Sequence, residues 1–512
     1  MNCLGNQKGE SRRVNHMDPA RRIFALALGF CLILQLARAE TADELFARAS
    51  AALLAAVPRV QADPSHPIFH ITAPAQWMND PNGLIYYRGC YHVFYQLHPF
   101  SEGDGPKYWG HVRSRDLVKW EPLPIALCPS PDLGEEGVWS GCCTINGLGR
   151  PMIFYTSVAP GKPAMTHAEQ WAAIGDDDLI TWRKLSANPV LSESLHDGRK
   201  IYEWRDPFIF QDRHRTFMVL GGNLNETKGG QAVVNIYEAQ NPGLTQWRYR
   251  GVLFQLPDAG ARTAECPNFF KLGDHWVLLV SPYGKPEYFV GDFSPDVCRF
   301  ESRCRGTLDG DDHFYAPNTM QLPDGRRVLW GWVNGFPGGH GWNGCLSLPR
   351  LLTLSPDGHL RQTSAPQLNK LRGRSFKWQN IPLQDGVRAF ELPHTNSMEI
   401  RTDIDLENCQ QITLAFKCAT NGMSPLVMSF SNSKFKIMDT ESPLLLAEKG
   451  RTLQLRIFVD RSVVEVFIRN EICVTKLINP LAGDQTLEIS AAGRAAKARL
   501  VEVWPMKTIW GK

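Results

Sequence analysis

The chain reads as an all-β protein, a five-bladed β-propeller followed by a C-terminal β-sandwich. Three observations predict this. A five-copy register runs through the first two thirds, a tryptophan recurs late in three of the copies, and the final part abandons the period for strict apolar/polar alternation. The copies start at Asp80, Ser140, Asp206, Glu265 and Tyr315, with spacings of 60, 66, 59 and 50 residues. A period of that length marks a stacked or radial repeat. Its size suits one four-stranded propeller blade with loops.

Each copy has the same design: a polar residue, an apolar run, a tight turn and a second apolar run. The first runs from Asp80 to Tyr87, turns at Arg88-Gly89 and resumes from Tyr91 to Gln96. The second turns at Gly147-Leu148-Gly149, the third through Gln211 to Arg215, the fourth at Gly273-Asp274 and the fifth at Pro323-Asp324-Gly325. Apolar runs flanking such turns are hairpin signals. Trp120, Trp182 and Trp247 follow their starts by 40, 42 and 41 residues, each three places after Leu117, Leu179 or Leu244. Five units fill residues 66–365. Residues 366–380 read as a linker. From 381 to 512, alternation such as Leu453, Leu455, Ile457, Val459, then Val464, Val466, Ile468 across a turn at Asp460-Arg461-Ser462 gives seven or eight strands of a sandwich.

Ahead of the repeats, Arg21-Arg22 precede an apolar run from Ile23 to Leu36 and then Ala37-Arg38-Ala39, so residues 1–39 read as an export signal, with Met17 as an alternative start. That run is too short to span a bilayer, so the mature chain is expected to be secreted or periplasmic, with no membrane association. Residues 40–65 form a helical extension. Thr41 and Glu44 stand as a capping box at the start of one short helix.

With 512 residues and 43% hydrophobic composition the chain can bury the cores of two domains. A net charge of +3 with both signs mixed leaves no basic footprint, so a nucleic-acid partner is not expected. The 15 tryptophans suit β cores and sugar-stacking surfaces alike. Of 13 cysteines, signal cleavage would remove Cys3 and Cys31, leaving an odd number and hence a free thiol. Cys298 and Cys304 are spaced to bridge; the others read as small buried hydrophobes. One sequon, Asn225-Glu226-Thr227, is present.

In a radial repeat, equivalent positions converge on the axis. Asp80, Asp206 and Glu265 therefore share one funnel with Ser140 and Tyr315. Each acid alone is ordinary turn or salt-bridge chemistry; their common register gives them meaning. Two carboxyls about 5 Å apart are what double-displacement glycoside hydrolysis needs, one as nucleophile and one as proton donor. A third can stabilise positive charge or hold hydroxyls. A hard-cation site is the competing reading, but the six or more oxygen ligands it needs are not evident. Trp77, Trp109, Trp139 and Trp204 lie near strand starts, where a ring face could stack on a sugar, while Asn79, Gln96 and Arg205 add hydroxyl-binding capacity. His111 reads as structural, and Asp309, Asp311 and Asp312 as a solvated acidic loop.

Trp77-Met-Asn-Asp-Pro-Asn-Gly83, Phe94-Tyr-Gln96, Trp109-Gly-His111, Trp139-Ser-Gly141, Arg205-Asp-Pro207 and Glu265-Cys-Pro267 together resemble glycoside hydrolase family 32, the invertases, levanases, inulinases and related β-fructofuranosidases. Gly331-Trp332, Leu348-Pro-Arg350 and Val459-Asp-Arg-Ser462 through Glu465-Val-Phe467 continue the resemblance. It implies a propeller plus sandwich and a retaining β-fructofuranosidase acting on sucrose or β-fructans. In that reading Asp80 is the nucleophile, Glu265 the acid/base and Asp206 the transition-state stabiliser. Asn79, Gln96, Trp109, Trp139, Ser140 and Arg205 hold the fructosyl unit, and no metal or organic cofactor is implied. Fructosyl transfer and non-catalytic sugar binding are the alternatives on the same scaffold. Thr263-Ala264 before Glu265, and Asn268 after the Glu-Cys-Pro motif, depart from the family pattern, and the leaving-group subsite is where these departures are expected to matter.

Overall fold

The computed structural model describes residues 40–159, 168–225, 231–258, 260–383, 386–406, 409–418, 426–444, 446, 451–481, 483, 485–493 and 496–511. The leader expected over 1–39 lies outside them, as do Glu226 and Thr227 of the sequon.

Five antiparallel blades follow one another. Blade I comprises Gln76–Tyr87, Cys90–His98, Tyr108–Ser114 and Trp120–Leu127; blade II Gly137–Ile145, Pro151–Val158, Glu169–Gly175 and Trp182–Lys184. Blade III comprises Tyr202–Asp212, Arg215–Asn223, Ala232–Ala239 and Trp247–Gln255; blade IV Glu265–Leu272, His275–Ser281, Glu287–Ser294 and Arg299–Thr307. Blade V comprises Phe314–Gln321, Arg327–Val333, Arg350–Leu354 and Leu360–Ser364. The first strand of each blade touches the first strands of both neighbours, blade V against blade I included. That contact closes the ring. A short strand from the blade V region, Trp342–Asn343, also pairs in parallel with Gln76 and Trp77, and Glu102 accepts from the N–H groups of Gly339, His340 and Gly341.

Local chemistry explains the repeating marks. Arg88 and Gly89 both have positive φ, 45° and 84°, as a type I′ hairpin turn requires. Leu117, Leu179 and Leu244 are all left-handed, with φ of 63°, 58° and 56°. Each turn launches the outermost strand at its tryptophan, and the indole N–H of Trp182 and Trp247 donates back to the carbonyl of Leu179 and Leu244 at 2.9 and 3.0 Å.

The helix Ala42–Ala62 carries the capping box: Glu44 N–H donates to Thr41 Oγ1 at 3.3 Å and Thr41 N–H to Glu44 Oε2 at 2.8 Å. It is longer than the short helix expected, running on through Pro58. Leu45, Ala49, Leu53 and Val60 are buried in the propeller cluster, and Val60 lies beyond the proline, so burial holds the last turn where propensity would end it.

Among the described residues the C-terminal domain has two six-stranded sheets, not seven or eight strands in all. Edge strands such as Lys434–Ile437 and Thr440–Pro443 are too short for alternation to reveal. The stretch expected as a linker is partly structured: Pro366–Leu371 is a 3₁₀ turn, and Phe376–Pro382 already pairs with Lys497–Pro505. One sheet packs on both faces along the Thr452–Asp460 and Val463–Ile468 strands. Leu453, Leu455, Ile457 and Val459 enter the sandwich core, while Phe458, Val463 and Phe467 join the propeller cluster.

That interface is latched by buried charge. Asp460 accepts from the N–H groups of Ile68, Phe69 and His70 and from His70 Nδ1 at 2.8 Å. Glu465 receives His70 Nε2 at 3.2 Å and Arg350 Nη2 at 2.7 Å, and Arg350 Nη1 reaches Asp309 Oδ2 at 3.0 Å. Asp309 and Asp311 are therefore not a solvated loop. Asp309 is fully buried against Arg350 and Thr475, and Asp311 pairs with Lys476 and His313; Asp312 alone stays exposed. A buried carboxylate needs such partners, and here the sandwich supplies several of them. Cys298 and Cys304 do not bridge; both are free thiols, each donating to a backbone carbonyl.

Candidate active site

All five register residues lie on innermost strands, and the pairing slips beside each of them. Shifts fall between Met78 and Pro81, Val138 and Gly141, Val219 and Gly221 (opposite Asp206-Pro207), Glu265 and Asn268, and Tyr315 and Asn318. Bulges re-aim side chains. Asp206, Cys266 and Ala316, each before a proline, take positive φ of 65°, 47° and 45°. Strain of this kind, held in place by surrounding packing, is a mark of functional sites. Gly141 is required behind Ser140, because a Cβ there would collide with the carbonyl of Phe154.

The three acids are joined by hydrogen bonds at the centre of the ring. Asp80 Oδ1 accepts from Asn79 Nδ2 at 3.1 Å and Oδ2 from Ser140 Oγ at 2.5 Å. Cys266 links the aspartates: its Sγ lies 3.5 Å from Asp80 Oδ2 and 3.6 Å from Asp206 Oδ2, and its N–H donates to Asp206 Oδ2 at 2.9 Å. Glu265 is clamped on both oxygens, with Arg205 Nη2 donating to Oε1 at 2.7 Å and Tyr315 OH to Oε2 at 2.5 Å. Asp206 is held by its backbone, whose N–H donates to Thr156 Oγ1 at 2.9 Å.

Electrostatics separates the acids. Burial is the largest influence on Asp206 and drives its pKa up to about 7, with Glu265 and Asp80 adding repulsion and Arg205 opposing. Asp80 is also raised, first by burial; the hydrogen bonds from Ser140 and Asn79 pull it back. Burial and the Glu265 carboxylate hold the Tyr315 phenol far above its ordinary value, so it stays a donor. Lys107, buried beside the site, falls to about 8 despite the attraction of Asp80.

The expected sugar-binding residues divide. Asn79, Ser140 and Arg205 touch the acids directly, and Gln96 is tied to them as the acceptor for Asn79 Nδ2. Trp139 keeps a partly exposed ring near the Arg205 guanidinium, 5.9 Å from its centroid. Trp109 does not offer a sugar-facing ring: it is fully buried between Phe94 and Tyr155, and its indole N–H donates to the Trp139 carbonyl at 3.0 Å, so it positions Trp139. Trp204 likewise points into the blade III core against His196 and Tyr237. Trp77 does border the site; its indole N–H donates to Asn79 Oδ1 at 3.0 Å. His111 is buried on His92 at 3.0 Å, as a structural residue. Asn268 is a buried bracket between blades IV and V, donating to the Cys266 and Pro317 carbonyls and accepting from Thr319. Thr263 and Ala264 are fully buried. All three departing residues are buried, and none is open to the funnel's solvent.

Glu203 and Tyr283 had no signal in sequence, and Trp332 stood out only as part of the Gly331-Trp332 stretch. Glu203 grips Arg205 Nη1 at 2.5 Å, Tyr283 OH lies 2.7 Å from Arg205 Nη2, and Trp332 packs edge-on to Trp77. Glu203 has a positive φ of 55° two residues before Arg205, which no spacing rule anticipates.

Comparison with known proteins agrees with this geometry. Residues 70–364 match the glycosyl hydrolases family 32 N-terminal domain and residues 367–505 the family 32 C-terminal domain. A Bacillus subtilis levanase is 30% identical over 505 residues, covering 87% of this chain and 71% of that protein. A Zymomonas mobilis sucrose-6-phosphate hydrolase is 31% identical, covering 79% of this chain and 84% of its own. A Bombyx mori family 32 β-fructofuranosidase, solved as a mutant in complex with sucrose, superposes with a TM-score of 0.76 at 26% identity, covering 92% of this chain and 99% of that one. On the two domain matches, which together span residues 70–505, and the similarity to these relatives, the chain belongs to glycoside hydrolase family 32.

Proposed function

We propose that the protein is a retaining β-fructofuranosidase that removes terminal β-D-fructofuranosyl units from sucrose or β-fructans by double displacement. The observation that carries this is the unequal holding of the two reactive carboxyls. Asp80 sits deep on the Ser140 and Asn79 donors, whereas Glu265, its side chain 15% exposed, is held at the funnel wall between Arg205 and Tyr315.

Asp80 attacks the anomeric carbon of the fructosyl unit while Glu265 protonates the departing oxygen, giving a fructosyl ester on Asp80 and a free leaving sugar. Glu265, now a carboxylate, takes a proton from water, which attacks the same carbon and frees Asp80. Ser140 and Asn79 favour the ionised nucleophile. Asp206 presents its carboxyl to the fructosyl ring, where it holds hydroxyls and offsets the oxocarbenium-like charge. The leader-like segment 1–39 supports an exported enzyme. Turnover of sucrose, inulin and levan with product sizing tests the reading: wild type releases fructose and Asp80→Asn does not. Equal inertness of both proteins on all three substrates would end it.

A further inference from the structure

Tyr283 occupies the turn between His275–Ser281 and Glu287–Ser294, at the wall of the funnel that carries Glu265. It is bound to both oxygens of that acid through single intermediates. Arg205 Nη2 donates to Tyr283 OH and to Glu265 Oε1, both at 2.7 Å, while Tyr315 OH accepts from the Tyr283 N–H at 3.1 Å and donates to Glu265 Oε2. Its backbone is left-handed, with φ of 61°, an outlying conformation for an aromatic residue. At 48% it is the most exposed Phe, Tyr or Trp among the described residues. The Arg262 guanidinium packs against the ring 5.3 Å from its centroid and is pinned by Glu203 Oε1, which accepts from Nε at 2.8 Å and Nη2 at 2.6 Å.

A proton from Glu265 goes to the oxygen that departs, so the group carried by that oxygen must lie on the Glu265 side of the fructosyl unit. There the exposed Tyr283 ring offers a flat apolar surface, the kind on which the C–H face of a hexose rests. The two guanidiniums against the ring are already paired, Arg205 with Glu203 and Glu265 and Arg262 with Glu203, and Lys285 in the same turn donates to the Gly310 carbonyl. A phosphate there would have to compete with the Glu203 and Glu265 carboxylates for guanidiniums they already bind, with Asp80 and Asp206 adding negative charge deeper in the funnel.

Resting on the fructosidase reading, we propose that Tyr283, backed by the Arg262–Glu203 pair, is the leaving-group platform and selects a neutral hexosyl leaving group over a phosphorylated one. The platform serves both directions of the chemistry, since any sugar acceptor that replaces water must land on the same surface.

The test compares kcat/KM of wild type, Tyr283→Phe and Tyr283→Gly on sucrose, sucrose 6-phosphate and methyl β-D-fructofuranoside, whose leaving group is too small to reach the ring. Glycine suits the left-handed backbone, so the ring is deleted without added strain. Wild type should favour sucrose over its 6-phosphate. Tyr283→Gly should lose about tenfold of the preference for sucrose over the methyl fructoside, and Tyr283→Phe, which loses only the hydroxyl, should keep it within about threefold. Retention of the preference in Tyr283→Gly, equal loss in both variants, or a wild-type preference for the phosphate would overturn the proposal. Failure of wild type on all three substrates would sink the fructosidase reading itself, which separates the two ideas.

Discussion

Asp206→Asn should make the protein more stable while removing its activity. Asp206 is 5% exposed, and its pKa stands at about 7 in the folded chain, against about 3.9 for an unfolded aspartate. The folded state therefore holds a proton that the unfolded chain has released, and stability falls as pH rises between those two values. At about 1.36 kcal/mol per unit, the raised pKa of Asp206 costs the folded protein about 1.5 kcal/mol at pH 5 and about 4 kcal/mol at pH 8. Asparagine abolishes that cost, and its carbonyl oxygen can keep the 2.9 Å bond from the Cys266 N–H. Thermal denaturation at the two pH values is the assay. For a chain of this size the midpoint should rise by about 1 °C at pH 5 and about 3–4 °C at pH 8, with sucrose turnover lost at both. A variant no more stable than wild type at pH 8, or one shifted equally at both pH values, would refute the claim that burial opposes ionisation of Asp206 in the folded chain.

Two further outcomes follow from hydrogen bonds already described. Ser140→Ala removes the 2.5 Å donor to Asp80 Oδ2, so the acid limb of the kcat/KM profile should move to higher pH by about half to one unit; an unmoved limb would mean that Asp80 does not titrate in that profile. At the interdomain latch, His70 is buried, yet Asp460 and Glu465 raise it to about 9. Its contribution, about 3 kcal/mol from the shift, is fully present below the unfolded histidine value near 6.5 and is lost as pH rises through about 9. Urea denaturation of His70→Gln should therefore show a deficit at pH 6 that shrinks by pH 9.5; a deficit independent of pH would assign the loss to packing alone.

The part of this molecule that repeats was the part legible in sequence. Asp80, Ser140, Asp206, Glu265 and Tyr315 share a register because each blade repeats one strand–turn–strand unit, and the bulge beside each of them is part of that unit. The site's remaining chemistry comes from contacts with no periodicity. Glu203 grips Arg205 from its own strand and Tyr283 from the next blade, and neither carries a local signal. Trp109 and Trp204 show the opposite failure. Both sit at strand starts like Trp77, but a strand start alternates faces, and register alone does not say which face a large ring takes. Asp309 and Asp311 misled because acidic clusters are ordinarily solvated; their partners Thr475 and Lys476 lie in the other domain. The same long-range pairing gives the Leu348-Pro-Arg350 and Glu465-Val-Phe467 blocks their place, at the latch between the domains.

The central claim is that Asp80 and Glu265 perform a double displacement. Turnover of sucrose in aqueous methanol tests it directly, because methanol captures the fructosyl group as a glycoside that does not mutarotate. Nuclear magnetic resonance of that product reads the stereochemistry. The account predicts methyl β-D-fructofuranoside, the configuration of the substrate retained by two inversions. The α anomer would mean a single displacement by solvent, and Asp80 could not then be the nucleophile.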